Sequence, residues 1–551
     1  LDQLVSAPFP ERIRLVCRAW ALQLAPTPLP VMAAYWVKYL LVFIGGWAFF
    51  CSFAANYPGL LAARAWAFEA DAFQRAIAWA ILYESLGFGC GMGPMNGRFW
   101  PPLGGFLHFL RPGTTKLALL PGLPLLGGIR RTWLDVALYA AHVAVLLRAL
   151  TAPEITPALL APTLVLLPLL GLADVTIFLA ARSEHYLVAL ACLVLAGGDG
   201  PWVAACKLIW IAIWFWAATS KLNDHFPSVI QFMMNNGPFF PRWVKRRLFV
   251  DFPEDLRPSR LAVAMARIGA ATEYAIPAVL LLASDPLVVA ATLVVMVCFH
   301  GFIMINNPSG MPIEWNLLMI YGGLFLFGGH PEVRVADLFA QVPWLGALLL
   351  VPLVAIPLYG NLVPRHVSFL LAMRYYAGNW AYNIWLVRED ATHRFRRLTK
   401  ASGTMREQLE RMLPDAQAVE TALAMVPAHR FMHFEGRALL EALPHAADDL
   451  DAYEWMDGEV VGGMVLGWNF GDGHLNGARL LDAVQRQCGF EPGELRVVEV
   501  ESQPLFRPRM AWTVRDAASG VLARGVTDLR TMRDEPPFPS GRWAEALRPG
   551  R

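Results

Sequence analysis

Between residues 31 and 362 the chain runs through ten apolar stretches, at 31–54, 74–92, 133–151, 156–181, 184–198, 201–220, 261–283, 286–306, 314–329 and 344–362. Most approach the roughly 20 apolar residues that a helix needs to cross the hydrocarbon core of a bilayer. Backbone polar groups find no water there, so only helices or closed barrels span it. The spacing therefore predicts an all-α polytopic bundle of about ten spans. Segments 74–92, 184–198 and 314–329 are short or interrupted and are candidates for burial inside protein. Charged residues make up 16% of the chain, against roughly 25% in a soluble domain.

Lysine and arginine placement orients the bundle. Residues 98–131 carry Arg98, Arg111, Lys116, Arg130 and Arg131 without an acid. Residues 221–260 carry Lys221, Arg242, Lys245, Arg246, Arg247, Arg257 and Arg260, and a third basic run follows residue 364. With ten spans, all three fall on one side together with the basic N-terminus, which places both termini in the cytoplasm. A net charge of +2 is too small to suggest nucleic acid. Residues 1–30 read as a basic amphipathic segment, with Ile13, Val16 and Trp20 set among Arg12, Arg14 and Arg18, suited to lying on a membrane surface or to packing as a soluble helix. The chain opens on Leu1 with no visible signal peptide, which leaves room for a short leader.

Composition shifts at about residue 376. Beyond it, 404–425 and 434–443 read as helices, and Glu459–Leu466, Leu495–Val500, Ala511–Arg515 and Val521–Val526 as strands. Asp516–Gly520 makes a hairpin turn between the last two. Leu475–Gln487 reads as an amphipathic helix capped at Gly489. The expected organisation is a transmembrane part at 31–375 and a small α+β soluble domain at 376–551. The seven cysteines are scattered, which predicts neither a disulfide framework nor a zinc ribbon.

An ionisable group at membrane depth is a functional candidate by default. Such groups here are Lys38, Glu84, Asp135, Arg148, Asp174, Lys207, Arg267, Glu273, His300 and Glu314. Two places concentrate chemistry. At Ile211–Asn223 (IAIWFWAATSKLN), Lys207, Trp214 and Lys221 share one helical stripe if the helix continues. A lysine beside apolar and aromatic surface can serve as base or nucleophile, or it can snorkel to the interface. At Cys298–Leu318 (CFHGFIMINNPSGMPIEWNLL), His300 is a candidate acid or base, with Glu314 to orient it or carry a proton. A structural turn with a hydrogen-bonded histidine fits the same residues.

WFWAATSKLN and CFHGFIMINNPSGMPIEWNLLMIYGG resemble two signatures of the vitamin K-dependent gamma-carboxylase group and its bacterial horizontally transferred transmembrane relatives. The resemblance spans roughly residues 130–330. It implies a membrane enzyme in which Lys221 deprotonates a reduced quinone and His300 occupies the family's histidine position. The doubled lysine, the large lumenal domain and the propeptide-binding region of the carboxylases have no counterpart. The segment GFGCGMGPMNGRFWPPLGGFLHFLRPGTTKLALLPG (87–122) is similar to an uncharacterised family of large transmembrane proteins of actinobacteria and proteobacteria, a domain of unknown function. That resemblance covers most of the chain and implies a bacterial inner-membrane protein.

In the same segment, prolines interrupt any helix, and Arg98, Arg111 and Lys116 suit an anionic lipid head group, with Trp214 as an aromatic lipid contact; a plain interfacial connection reads equally from it. In the C-terminal part, Asp472 and His474 sit in a Gly-rich turn, with Asp472 most simply an N-cap and too few ligands nearby for a metal. Two classes of function stay open. One is a membrane enzyme on a lipophilic substrate, with an acyltransferase based on His300 as a variant. The other is a scaffold or accessory subunit bound to a protein partner. Transport, without internal repeats, ranks behind both.

Overall fold

The computed structural model describes residues 2–22, 29–89, 105–306, 312–375 and 377–549. After an N-terminal helix, α1 (Phe9–Ala21), come α2 (Ala33–Cys51), α3 (Ala70–Ser85), α4 (Trp133–Leu150), α5 (Pro157–Ala173), α6 (Tyr186–Leu195) and α7 (Asp199–Thr219). They are followed by α8 (Phe226–Asn236), α9 (Arg260–Leu282), α10 (Pro286–Asn306), α11 (Ile313–Gly329) and α12 (Pro343–Leu362). Among the described residues, α2, α4, α7, α9, α10 and α12 are long and apolar enough to cross a membrane, and α5, α6 and α11 are shorter apolar helices.

Helix α3, where a span was expected at 74–92, is neither among the helices long and apolar enough to cross a membrane nor among the shorter apolar ones. Nearly all of it is buried, and Arg75 caps its neighbours. The guanidinium donates to the carbonyls of Phe50 (3.2 Å), Leu150 (2.5 Å) and Ala152 (2.8 Å), which lie at or just beyond the C-terminal ends of α2 and α4. The charge itself is paired with Asp71 one turn earlier (2.6 Å), and the remaining donors serve carbonyls at helix ends, where intrahelical partners run out. The expected continuous span 156–181 is instead broken at Asp174, whose carboxylate accepts from Thr176 N (3.0 Å) to start a new short helix and pairs with buried Arg131.

Each of the three basic stretches touches the C-terminal part. His108 Nε2 meets the carbonyl of Val465 (3.2 Å), Gln487 donates to Thr115 (3.0 Å), Arg257 donates to the carbonyl of Asp534 (3.1 Å), and Arg374 donates to Ser502 (3.0 Å). Helix α1 joins them. Ile13, Val16, Cys17 and Trp20 are buried; Trp20 stacks on Phe232 at 4.5 Å, and Phe9 stacks on Trp455 at 5.9 Å. The apolar face expected on a membrane surface is covered by the chain itself, while Arg12 and Arg18 pair with Asp451 (2.7 Å) and Glu254 (2.8 Å).

A hairpin, β1 (Phe249–Asp251) and β2 (Asp255–Pro258), lies in the 221–260 connection. The C-terminal part holds an antiparallel sheet of β3 (Tyr382–Arg388), β4 (Tyr453–Asp457), β5 (Leu495–Val500), β6 (Arg509–Asp516) and β7 (Gly520–Asp528), in the order β4-β3-β5-β6-β7. Ile384, Val498, Val514 and Ala523 are aligned across four strands and form its apolar face. The run 459–466, read above as a strand, is instead a helix, α13 (Gly458–Leu466). Asp457 caps its start by accepting from Glu459 N (2.9 Å), and Gly467 ends it at φ 85°. An apolar run without a period does not distinguish the two structures. One continuous buried core runs from Leu4 to Leu547 and joins the helices to the sheet.

Candidate functional site

Helix α7 ends at Thr219, so Lys221 turns off the stripe expected to carry Lys207 and Trp214. The three residues separate. Lys207 donates to the carbonyls of His330 (2.7 Å) and Val333 (2.5 Å). Trp214 is fully buried and faces no lipid. Lys221 ion-pairs with Glu273 of α9, the two side chains being 8% and 4% exposed. Its ammonium also lies over the rings of Phe226 (5.3 Å) and Phe299 (5.9 Å).

This pair is on the wall of a cavity of about 320 Å³ between α7, α8, α9 and α10. The remaining lining is mostly apolar, with Met233, Met265, Phe302 and Ile303 among it. Ile268, also on the wall, is 67% exposed on the outside of α9, one of the helices long and apolar enough to cross a membrane. At the other end lies Arg182, held in the left-handed region at φ 52° with its guanidinium over Tyr375 (5.6 Å) and Phe470 (5.2 Å).

His300 stands behind this wall with both ring nitrogens engaged. The Trp214 indole N–H, which can only donate, donates to Nε2 (3.0 Å). Nδ1 therefore carries the proton and donates to Asn316 Oδ1 (2.8 Å), whose amide nitrogen donates to Pro312 O (2.8 Å). The ring is a neutral imidazole without a free lone pair, and it fixes Asn316, which does line the cavity. Asn316, not Glu314, orients His300. Glu314 is buried and faces Glu84, itself near Lys38, Arg182 and Glu184.

His185 repeats the pattern. Trp315 donates to its Nε2 (3.1 Å), and Nδ1 meets Glu184 Oε1 (3.1 Å), which also accepts from Arg182 Nε (2.9 Å). Sequence reasoning passed over Arg182, Glu184 and His185, although four polar residues (RSEH, 182–185) between two apolar segments were a readable signal.

The lipid-facing candidates fare unevenly. Lys116 is wholly buried, 2.7 Å from each carboxylate oxygen of Asp135 and 2.8 Å from the carbonyl of Leu126, so its three donors are used inside the protein. Arg111 is exposed beside Lys400 and Arg411. Arg98 lies outside the described residues. Among the described residues, no three of His, Cys, Asp or Glu are grouped to hold a metal ion.

Apolar spanning helices around a buried lysine–glutamate pair, with a sheet packed on one side, define an integral polytopic membrane protein. The chain belongs, over residues 1–545, to a family described as a transmembrane protein of unknown function (DUF3556). No curated protein and no solved structure matches it.

Proposed function

We propose that this is a membrane enzyme that admits a lipophilic molecule of the quinone or lipid class from the bilayer into the 320 Å³ cavity and exchanges a proton with it through Lys221 and Glu273. The observation that carries this reading is one ion pair on an otherwise apolar wall that includes the exposed Ile268 of α9. A lysine and a carboxylate in contact can share a proton. A hydroxyl or enol placed against them hands its proton to the pair without isolating a charge in a dry site. Asn316, locked by His300, offers a hydrogen-bonding group to the same ligand. The likeness of 214–223 and 298–323 to the carboxylase group puts Lys221 at that group's basic lysine and supports this assignment. His300 then serves as a positioning residue.

The topology that accompanies this reading has ten crossings of a bacterial inner membrane with both termini cytoplasmic. It is supported by the placement of lysine and arginine along the sequence and by the contacts that the basic stretches make with the C-terminal part.

The test is mass spectrometry of lipophilic compounds retained by the gently solubilised protein. A stoichiometric quinone or lipid in the wild type, lost in the charge-neutral double variant Lys221→Met/Glu273→Gln, supports the enzyme reading. A stoichiometric protein partner with no retained small molecule overturns it in favour of a scaffold.

A further inference from the structure

Outside the helical cavity, a larger space of about 1230 Å³ opens where α5 faces the sheet, above the roughly 300–1,000 Å³ of most small-molecule sites. Its two walls differ in kind. One is α5, contributing Leu164, Val165, Pro168 and Leu169, with Val165 60% exposed. The other is a sheet face. Successive residues of a strand point to opposite faces, so the row next to the Ile384–Val498–Val514–Ala523 row lies on the other face, along the groove. That row is Asn383, Glu499, Thr513 and Arg524, aligned across β3, β5, β6 and β7. A polar sheet face thus looks across a groove at an apolar membrane helix.

The charges are unequal. Each carboxylate on the groove is already engaged: Glu499 by Arg515 and by Ala478 N (2.6 Å), Asp472 by Ser368, and Glu501 by His474 (2.9 Å). Among the described residues, Arg365, Arg479 and Arg524 line the groove without a carboxylate in contact. Arg365 lies in the short turn Pro364–His366, three residues beyond the end of α12. His474 offsets the charge of Glu501 rather than adding to the arginines. The carboxylates of Glu501 and Asp472 raise its affinity for a proton above that of a free imidazole despite burial, with Arg374 opposing.

We propose that this groove holds a phospholipid with an anionic head group, its acyl chains along α5 and its phosphate among Arg365, Arg479 and Arg524. The apolar wall accounts for a chain, the unmatched guanidiniums for a phosphate, and the size for an elongated amphiphile. The site is separate from the lysine–glutamate cavity and does not depend on it.

The experiment places the full-length protein in nanodiscs of mixed phosphatidylglycerol and phosphatidylcholine, extracts it gently and reads bound lipid by native mass spectrometry. About one phosphatidylglycerol per chain is expected. Arg365 and Arg524 are exposed, and Arg365→Gln/Arg524→Gln should weaken retention on the order of 30-fold, from about 1 kcal/mol per arginine. Val165→Trp, which narrows the apolar wall, should displace the lipid without touching a charge. Melting curves matching the wild type establish that the variants fold, and the charge-neutral double variant Lys221→Met/Glu273→Gln should leave this lipid in place. Equal retention of the two lipids, or phosphatidylglycerol unchanged in both variants, overturns the proposal. Displacement by glycerol phosphate, which has the head group and no chains, also overturns it and makes the groove a site for soluble phosphate esters.

Discussion

Lys221 and Glu273 are the most sensitive place to test the reading of the cavity. Both side chains are almost wholly buried, and the ammonium touches one carboxylate oxygen of Glu273 and faces two phenyl rings. Removing one member of a buried pair strands the other charge and costs about 3–5 kcal/mol. Removing both members together is close to neutral, because the desolvation of each charge disappears with their attraction. Lys221→Met forfeits in addition the cation–π contacts, worth up to about 2 kcal/mol when desolvated. The expected order of thermal stability in detergent is therefore Lys221→Met lowest, Glu273→Gln next, and the double variant within about 2 kcal/mol of the wild type. Tryptophan fluorescence through a temperature ramp reads it. A double variant as unstable as the worse single variant would mean that the two residues do not compensate each other, and the description of a shared proton site would fail with it.

Lys116→Met should destabilise by a comparable 3–5 kcal/mol, because Asp135 is left buried without its cation; Asp135→Asn in the same chain should restore stability, and co-sedimentation with anionic vesicles should not change. Loss of vesicle binding without loss of stability would return Lys116 to a lipid-facing role. In the C-terminal part, burial pushes the Glu435 carboxyl up to about 8, with Arg430 opposing and Glu459 reinforcing the shift. A raised value means that the folded state keeps a proton which the unfolded chain releases near 4.5. The stability from that proton is full below 4.5 and is lost as pH rises through about 8. Melting temperatures between pH 5 and about pH 9 should fall more steeply for the wild type than for Glu435→Gln, and parallel slopes would refute the assignment.

What the sequence made legible follows the physics of each element. Span length and apolarity are local properties, and α2, α4, α7, α9, α10 and α12 all lie where the hydropathy of the chain predicts. The hairpin at Asp516–Gly520 and the Gly489 cap, at φ 62°, depend on a few adjacent residues and were equally readable. Strand β3 was not. The sheet is buried on both faces there, every residue from Tyr382 to Val387 is inaccessible, and no alternation survives. The sites stand on the other side of that divide. Lys221 was visible as a lysine after an aromatic helix, but Glu273, 52 residues away, reaches it only through the packing of α7 on α9. His300 was visible too, yet its role was decided by Trp214 and Asn316, which occupy both ring nitrogens and turn a candidate base into a clamp. The groove at α5 is the extreme case. Its polar row is spread over four strands, with β3 far from the other three in sequence, and its apolar wall is a helix more than 200 residues before β3. No segment of the sequence carries that site, because it exists only where a sheet with one polar face is packed beside a helix made for lipid.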